Sequence, residues 1–267
     1  MCVDQHDATD VTEERWVWLQ PVLLERQWRS GGPGRSSCDR RRIVNGLLDV
    51  NKTGCQWRLV PKDDGHWSTI DGYCKRWRCE GVGARVMEML RQWERRDLRR
   101  NPEPSAGRMD SQRIKTAPQH EELGCDGHKN IKGRTRPILG ATLGGIRAVG
   151  VPSADTDERL GVVEWLSQYV AAGVKRLRNR GVDGAYPAEW LEAWGRNLKQ
   201  THNIDVEATT NKEGKGFQVI PWRWAVERTC AWLLNDRRHR RDDERLTANS
   251  TAMIHMSMIR LLLNRWV

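Results

Sequence analysis

The sequence predicts an α/β protein in which a helical N-terminal region precedes a mixed region of strands and helices. Up to about residue 100, apolar residues recur at helical spacing with basic residues between them. Two prolines then interrupt the pattern at 101–107. Beyond them, strand-like stretches come first and then alternate with helical ones, as in a layered α/β structure. We therefore predict a helical domain at 1–100, a linker at 101–107 and a second domain at 108–267.

Apolar spacing predicts four helices in the first region, at about 11–27, 43–53, 67–77 and 86–93. Asp10 and Glu13 stand three residues apart, which is typical of a capping box at the start of the first helix. Gly54 suits the left-handed cap that ends the second helix. The tryptophans of this region are interpreted as core residues rather than as base-stacking platforms.

Basic side chains accompany these helices. Lys75 and Arg76 lie between the apolar positions of the third helix. The chain carries a net charge of +10 and has a pI of about 9.6. Such a balance favours a polyanionic partner such as nucleic acid. Two interpretations stay open: a helix-turn-helix-like domain that reads DNA, or a small bundle whose charges only keep it solvated.

The second region is predicted to alternate strands and helices. Residues 138–151 form two strands that turn at Leu143-Gly144-Gly145, and a strand at 174–182 runs into Asp183. A shorter strand covers 204–208. Helices are expected at 160–172, 189–197 and 222–238, and the last of them carries Glu227.

Seven scattered cysteines argue against a zinc site or a disulfide framework, because the sequence has no Cys-x-x-Cys. The N-terminus is acidic where a signal peptide would be basic and then apolar. The sequence also has no uninterrupted apolar run of membrane-spanning length. We expect a reduced, cytoplasmic protein without a membrane segment.

Three acidic residues stand in distinctive contexts: Asp110 in Met109-Asp110-Ser111-Gln112, Asp183 in Val182-Asp183-Gly184-Ala185-Tyr186, and Glu227 in Trp224-Ala225-Val226-Glu227-Arg228-Thr229. Aspartates on neighbouring strands and a glutamate on a helix packed against them can converge. Carboxylate oxygens suit Mg²⁺, and Mn²⁺ is a possible substitute. Two such ions about 3.5 to 4 Å apart support in-line displacement at phosphorus. Arg223, one turn before Glu227, pairs with that glutamate, contacts a phosphate or forms an ordinary surface ion pair.

These contexts belong to a longer series of motifs that runs in order along the chain: Thr12-Glu13-Glu14, Arg41-Arg42-Ile43-Val44-Asn45-Gly46-Leu47-Leu48, Thr53-Gly54-Cys55-Gln56-Trp57-Arg58, Trp67-Ser68-Thr69, Arg76-Trp77, Asp110-Ser111-Gln112 with Lys115, Lys132-Gly133-Arg134, Asp183-Gly184-Ala185-Tyr186, Lys215-Gly216-Phe217, Arg223-Trp224, Val226-Glu227-Arg228-Thr229, Trp232-Leu233, Glu244-Arg245-Leu246 and Ala252-Met253-Ile254. Over residues 12 to 265 the chain resembles bacterial insertion-sequence transposases of the IS-five group, within the DDE transposase class. No single string is decisive, but the order and spacing together are specific.

The resemblance implies a ribonuclease-H-like catalytic domain, with Asp110 on its first strand, Asp183 at the end of a later strand and Glu227 on a C-terminal helix. These acids would be both the catalytic residues and the metal ligands. The implied reaction is Mg²⁺-dependent cleavage at the ends of a mobile element, followed by attack of the freed 3′ hydroxyl on target DNA. The implied partners are double-stranded DNA, as element ends and target, and a second copy of the chain. The DNA-binding residues that we predict are Lys75, Arg76, Lys132, Arg134 and Arg223.

The chain departs from the family pattern at several positions. Ile220 and Leu234 stand where the wider class often has Tyr and Lys. Polar or small residues also replace large apolar ones at Cys74, Cys230, Asp49, Asp243, Gly181 and Arg147. The alternative function is therefore a degenerate, non-catalytic DNA-binding relic or repressor of transposition. A ribonuclease-H-like nuclease without strand transfer is a weaker third reading.

Overall fold

The computed structural model describes residues 9–24, 38–118, 120–127, 130–156, 179–183, 188–209 and 221–266. The chain divides into two compact units. The first, helical unit comprises Met1–Glu94, Leu234–Arg240 and Ala252–Val267, and the second, sheet unit comprises Arg95–Leu233 and Arg241–Thr251. Two C-terminal segments thus join the helical unit, which the sequence did not indicate. The functional division at 1–100, 101–107 and 108–267 stays a prediction.

The helices described are α1 (Glu13–Leu24), α2 (Arg40–Thr53), α3 (Trp67–Cys79), α4 (Val82–Asp97), α5 (Ala188–His202), α6 (Pro221–Leu233) and α7 (Thr247–Trp266). All four predicted N-terminal helices are present. The sequence did not predict α7. The helix predicted at 222–238 ends at Leu233 and is followed by a separate 3₁₀ turn at Arg237–His239. The helix predicted at 160–172 lies outside the described residues.

Side-chain caps define two helix ends. The predicted capping box of Asp10 and Glu13 is wrong, because α1 begins at Glu13 and the Arg15 amide donates to Oγ1 of Thr12 at 3.4 Å. In α2 the amide of Arg41 donates to Oδ1 of Asp39 at 2.9 Å. Gly54 closes α2 with φ 68°, a left-handed conformation that confirms the predicted cap.

The helical core forms where α2 meets α3. Ile43, Leu47 and Ile70 are fully buried, as the apolar spacing requires. Gly46 permits this close approach, because a Cβ atom there would lie 2.7 Å from Cδ1 of Ile70. Trp77 is also buried, in agreement with its interpretation as a core residue.

The described strands are β1 (Ala106–Lys115), β2 (Gly124–Asp126), β3 (Ile131–Ala141), β4 (Ile146–Val149), β5 (Asn179–Asp183) and β6 (Asp205–Thr209). They form one sheet in the order β2-β3-β1-β5-β6, with β4 also paired to β3. The pairs among β1 to β4 are antiparallel, whereas β5 is parallel to both β1 and β6. Helices and a mixed sheet confirm the α/β class. β1 begins inside the predicted linker, and β2 was not predicted.

The β3–β4 hairpin confirms the predicted turn at Leu143-Gly144-Gly145. Gly144 has φ 87°, a conformation that favours glycine. It also lies against the side chain of Trp232, since a Cβ atom would stand 2.5 Å from Cζ3 of that indole. Glycine is therefore required at this turn for two separate reasons.

Polar residues at several departures from the family pattern have partners. The buried guanidinium of Arg147 pairs with Glu103 at 2.8 Å. The buried carboxylate of Asp49 accepts from the hydroxyl of Thr9. A buried charge with a partner avoids most of the penalty of an unpaired one. These replacements are accommodated locally.

Each helix in the described residues is too short or too polar to cross a bilayer. The six cysteines within that part of the chain are free thiols.

His255 on α7 makes the helical unit sensitive to acid. The ring is half-buried against Gly83, and burial lowers the pKa of His255 to about 4. In the unfolded chain a histidine binds a proton below about pH 6.5. Between these two values the unfolded state binds more protons, so stability falls as pH falls from about 6.5 towards 4.

We expect wild type to lose up to about 2 kcal/mol more stability than His255→Gln between pH 7 and pH 5. Partial exposure of the ring reduces the effect below that figure. Urea titrations at both pH values measure the difference. His202→Gln is the control, because that residue is exposed on α5. Parallel behaviour of wild type and His255→Gln would contradict the assignment.

Candidate active site

Asp110 lies in the middle of β1, directly opposite Ile138 of β3. Its Oδ1 accepts from the Ser111 amide at 2.8 Å, and its Oδ2 lies 3.9 Å from the Cys230 thiol. Residues opposite each other in an antiparallel pair project from the same face of the sheet. Asp110 therefore faces the helix that carries Cys230.

That helix is α6, which packs on β1, β3 and β5. Val226 lies over Gly140, and the hydroxyl of Thr229 donates to the Gly144 carbonyl at 2.9 Å. These buried side chains fix the rotation of α6 about its axis. Glu227 consequently lies on the exposed side of the helix, next to the buried stripe.

Cys230 lies beside Asp110 and follows Glu227 by three residues on α6. Burial, together with the carboxylates of Asp110 and Glu227, raises the pKa of its thiol to about 12, while Arg136 acts in the opposite direction. The pairing of β1 and α6 brings together residues that are far apart in the sequence.

Asp183 is the last residue of β5. This strand is parallel to β1, with Arg108 in register with Gly181. The pairing ends at these residues, two before Asp110 on β1 and two before Asp183 on β5. The backbone thus brings both aspartates to one region of the sheet. The side chain of Asp183 lies outside the described part.

The chemistry of this donor set fits a hard divalent cation. Carboxylate oxygens are the ligands that Mg²⁺ accepts. A thiol with a pKa of about 12 stays protonated near neutral pH and is a poor metal ligand. Among the described side chains, which leave out that of Asp183, no three His, Cys, Asp or Glu residues are grouped to hold a metal ion.

Two predicted DNA-binding residues lie on α3. Lys75 is exposed and pairs with Asp71 at 2.6 Å. Arg76 is half-buried, with its guanidinium carbon 5.1 Å from the centre of the Tyr73 ring. An exposed ion pair is weak, so the ammonium of Lys75 remains available to a phosphate.

The other candidates are spread over the sheet unit. Lys132 is exposed on β3. Arg223 lies on α6, one turn before Glu227, and its side chain is outside the described part. No contact in the described part of the chain joins either residue to Asp110.

Arg134 requires a correction. Its guanidinium is fully buried and pairs with Asp242 at 3.1 Å. It also donates to the carbonyls of Glu121, Glu244 and Arg245. A guanidinium that is fully buried in this way is not accessible to a DNA phosphate. Arg134 instead fastens β3 to the segment before α7, so the prediction of a direct DNA contact is withdrawn.

The sequence did not single out Arg136. This residue lies on β3 on the same side as Arg134, since side chains alternate along a strand. Its side chain is buried, and burial lowers the pKa of Arg136 to about 10 although Asp242 opposes the shift. Arg136 is therefore cationic at neutral pH and acts electrostatically on Cys230. The sequence signal that could have identified Arg136 is the pair of arginines, Arg134 and Arg136, at alternate positions of one strand.

A second group missed in the sequence lies along the outer side of α6. The guanidinium carbon of Arg228 lies 5.2 Å from the ring centre of Trp224 and 4.6 Å from that of Trp232. The three residues are spaced by four, which places them in one row along a helix. That regular spacing would have identified the row.

Two comparisons with known proteins each match part of the chain. Residues 11–87 match a family model described as "Putative transposase of IS4/5 family". The chain is also 31% identical over 83 residues to a protein of Burkholderia cepacia named "Insertion element IS402 uncharacterized 16.2 kDa protein". That alignment covers 30% of this chain and 56% of the relative, so the chain spans about half the relative's length. The resemblance to insertion-sequence transposases is thereby confirmed, and residues 11–87 are the part of the chain that carries the family match.

Proposed function

We propose that this chain is a DDE transposase that cleaves the ends of an insertion sequence and joins the freed 3′ hydroxyl to target DNA. The observation that carries the proposal is the pairing of β1 with β5 together with the packing of α6 on β1, which supports a shared location for the three acids. The pairing of β1 with β5 ends two residues before Asp110 and Asp183, and Cys230, one turn after Glu227 on α6, lies 3.9 Å from Asp110. The sheet, with β3 antiparallel to both β1 and β4 and with β5 and β6 parallel to β1, supports a ribonuclease-H-like catalytic domain.

In this proposal Asp110, Asp183 and Glu227 are the ligands of Mg²⁺, or of Mn²⁺ in its place. Bound at these carboxylates, the metal would supply charge stabilisation for the attacking and leaving oxygens of phosphoryl transfer. The sheet positions the two aspartates, and the buried face of α6 positions the glutamate. Cys230 stays protonated between them and adds no negative charge.

Basic residues would position the DNA. Lys75 and Arg76 on α3 suit a helix-turn-helix-like reader in which this helix approaches the groove. Lys132 and Arg223 would contact phosphates nearer the acids. A second copy of the chain would allow two element ends to be held together. These assignments are part of the proposal.

The structure does not favour the alternative function of a degenerate, non-catalytic relic over that of a transposase. Arg147 and Asp49, two of the departures from the family pattern, have charged or hydrogen-bonding partners. Asp243, a third, pairs with Arg241 at 3.3 Å. Asp110 also lies 3.9 Å from Cys230, which is one turn from Glu227 on α6.

The proposal is tested with the full chain and a supercoiled plasmid that carries the gene with its flanking DNA. We expect nicking in Mg²⁺ or Mn²⁺ and none in EDTA. The logarithm of the binding constant for the same DNA should fall linearly with the logarithm of the salt concentration, because cationic side chains that bind phosphates release the counterions of the DNA. Nicking that persists in EDTA, or a chain that fails to bind DNA, would contradict the proposal.

A further inference from the structure

We propose that Trp224 is a stacking platform for an unpaired DNA base beside Glu227, and that Arg228 holds the indole in place. This inference rests on the proposed function and specifies how the same site would take a single-stranded end. The row formed by Trp224, Arg228 and Trp232 is called the aromatic row below.

The aromatic row is anchored at one end. Trp232 packs against the Gly144 turn of the β3–β4 hairpin, where its ring fills the space that a Cβ atom would need. Arg228 stacks on Trp232 at 4.6 Å and on Trp224 at 5.2 Å. A guanidinium over an indole face is attractive, more so when partly shielded from water. The contacts therefore hold Trp224 to the body of the sheet unit.

Trp224 is the exposed end of the row. Its relative exposure is 56%, whereas Ala225, Val226 and Thr229 beside it are buried against the sheet. Exposing a large indole forgoes the stabilisation that its burial would give. A ring that is exposed and yet fixed by a cation presents a preorganised flat surface to a ligand.

The position of Trp224 relates this surface to the acids. It precedes Glu227 by three residues on α6, which separates the two side chains by about 60° around the helix axis. Both side chains are exposed. A base stacked on Trp224 would therefore belong to a nucleotide within reach of the Glu227 carboxylate.

The chemistry of the aromatic row indicates which ligand would bind there. Every nucleobase offers a π-face that stacks on an aromatic side chain without regard to sequence. The adjacent guanidinium and the net charge of +10 favour a ligand that carries phosphates. Bases in an intact duplex are already stacked on their neighbours. The occupant that fits is consequently an unpaired nucleotide at a strand end.

The test compares two DNA probes in EDTA, so that no cleavage occurs. One is a blunt duplex, and the other is the same duplex with a short 3′ overhang that contains 2-aminopurine. Wild type should bind the overhang probe more tightly than the blunt one and quench the 2-aminopurine fluorescence. Trp224→Ala should bind the overhang probe about tenfold more weakly, with blunt-duplex affinity unchanged. Trp224→Tyr should retain most of the preference.

Leu98→Ala is the matched control, because it removes another exposed apolar side chain of the sheet unit. Retention of the overhang preference and the quenching in Trp224→Ala would overturn the inference. If that variant does not fold, Trp224→Leu and Trp224→Tyr decide the question, and equal behaviour of these two would overturn it. The oligomeric state of Trp224→Ala is also measured, because Trp224 could instead mediate self-association. Loss of the dimer with overhang binding intact would overturn the stacking inference.

The two proposals fail in different ways. A wild-type chain that nicks DNA with Mg²⁺ but binds both probes equally removes the stacking platform and leaves the transposase function standing. A wild-type chain that binds neither probe and nicks nothing removes both.

Discussion

Asp110→Asn is expected to lower metal-dependent DNA nicking by at least about 10³-fold, because a lost metal ligand removes several kcal/mol of transition-state stabilisation. Asparagine has nearly the same shape and still accepts the Ser111 amide that Oδ1 accepts at 2.8 Å. Fold and DNA binding should therefore be retained. Nicking is measured by conversion of supercoiled plasmid to open circles in Mg²⁺.

Asp97→Asn provides the matched control, since Asp97 is exposed at the end of α4. This variant should nick at the wild-type rate. Thermal melting of both variants separates lost chemistry from lost fold. Wild-type nicking by Asp110→Asn would remove Asp110 from the reaction.

Arg134→Met is expected to destabilise the sheet unit by about 3–5 kcal/mol, the usual penalty for removing one partner of a buried ion pair. The change leaves the carboxylate of Asp242 buried. It also leaves the carbonyls of Glu121, Glu244 and Arg245 without their guanidinium donor. Against a typical total stability of about 5–15 kcal/mol, this loss is a large fraction of the free energy of unfolding. Urea titration measures the loss.

Arg100→Met controls for removal of an arginine, because Arg100 is exposed, and it should change stability little. DNA binding by the folded protein at low temperature supplies a second readout. If Arg134→Met is as stable as wild type, and its salt dependence of DNA binding is lower by about one unit, then Arg134 contacts a phosphate after all.

Local pattern predicted much of the helical unit. The local sequence of α2 is sufficient to predict this helix. Asp39 can cap it, the apolar spacing defines its buried face, and Gly54 takes the left-handed conformation that ends it. The turn at Gly144 was predictable for the same reason. In these elements, short-range sequence preferences and the final packing agree.

Features that depend on distant residues were not predictable. Arg134 resembled a DNA-binding residue in its motif, and its burial follows from Asp242, which is distant in the sequence and closes over it. The end of the last predicted helix at Leu233 and the assignment of Ala252–Val267 to the helical unit likewise depend on tertiary packing.

The candidate site lies between these cases. Motif context indicated strands for Asp110 and Asp183 and a helix for Glu227, and the described backbone has all three in such elements. Their proposed convergence depends on the parallel pairing of β1 with β5, which the sequence did not predict. The aromatic row on α6 was visible as a spacing of four, but its exposed end became apparent only when the buried face of the helix was known.

Hydroxyl-radical cleavage by Fe²⁺ bound in place of Mg²⁺ tests most directly whether the three acids form one metal site. With ascorbate and peroxide, Fe²⁺ cuts the polypeptide close to its ligands, and mass spectrometry locates the cuts. We predict cuts near Asp110, Asp183 and Glu227, all suppressed by excess Mg²⁺. Cuts confined to other segments, or cuts near one acid alone, would contradict a shared site.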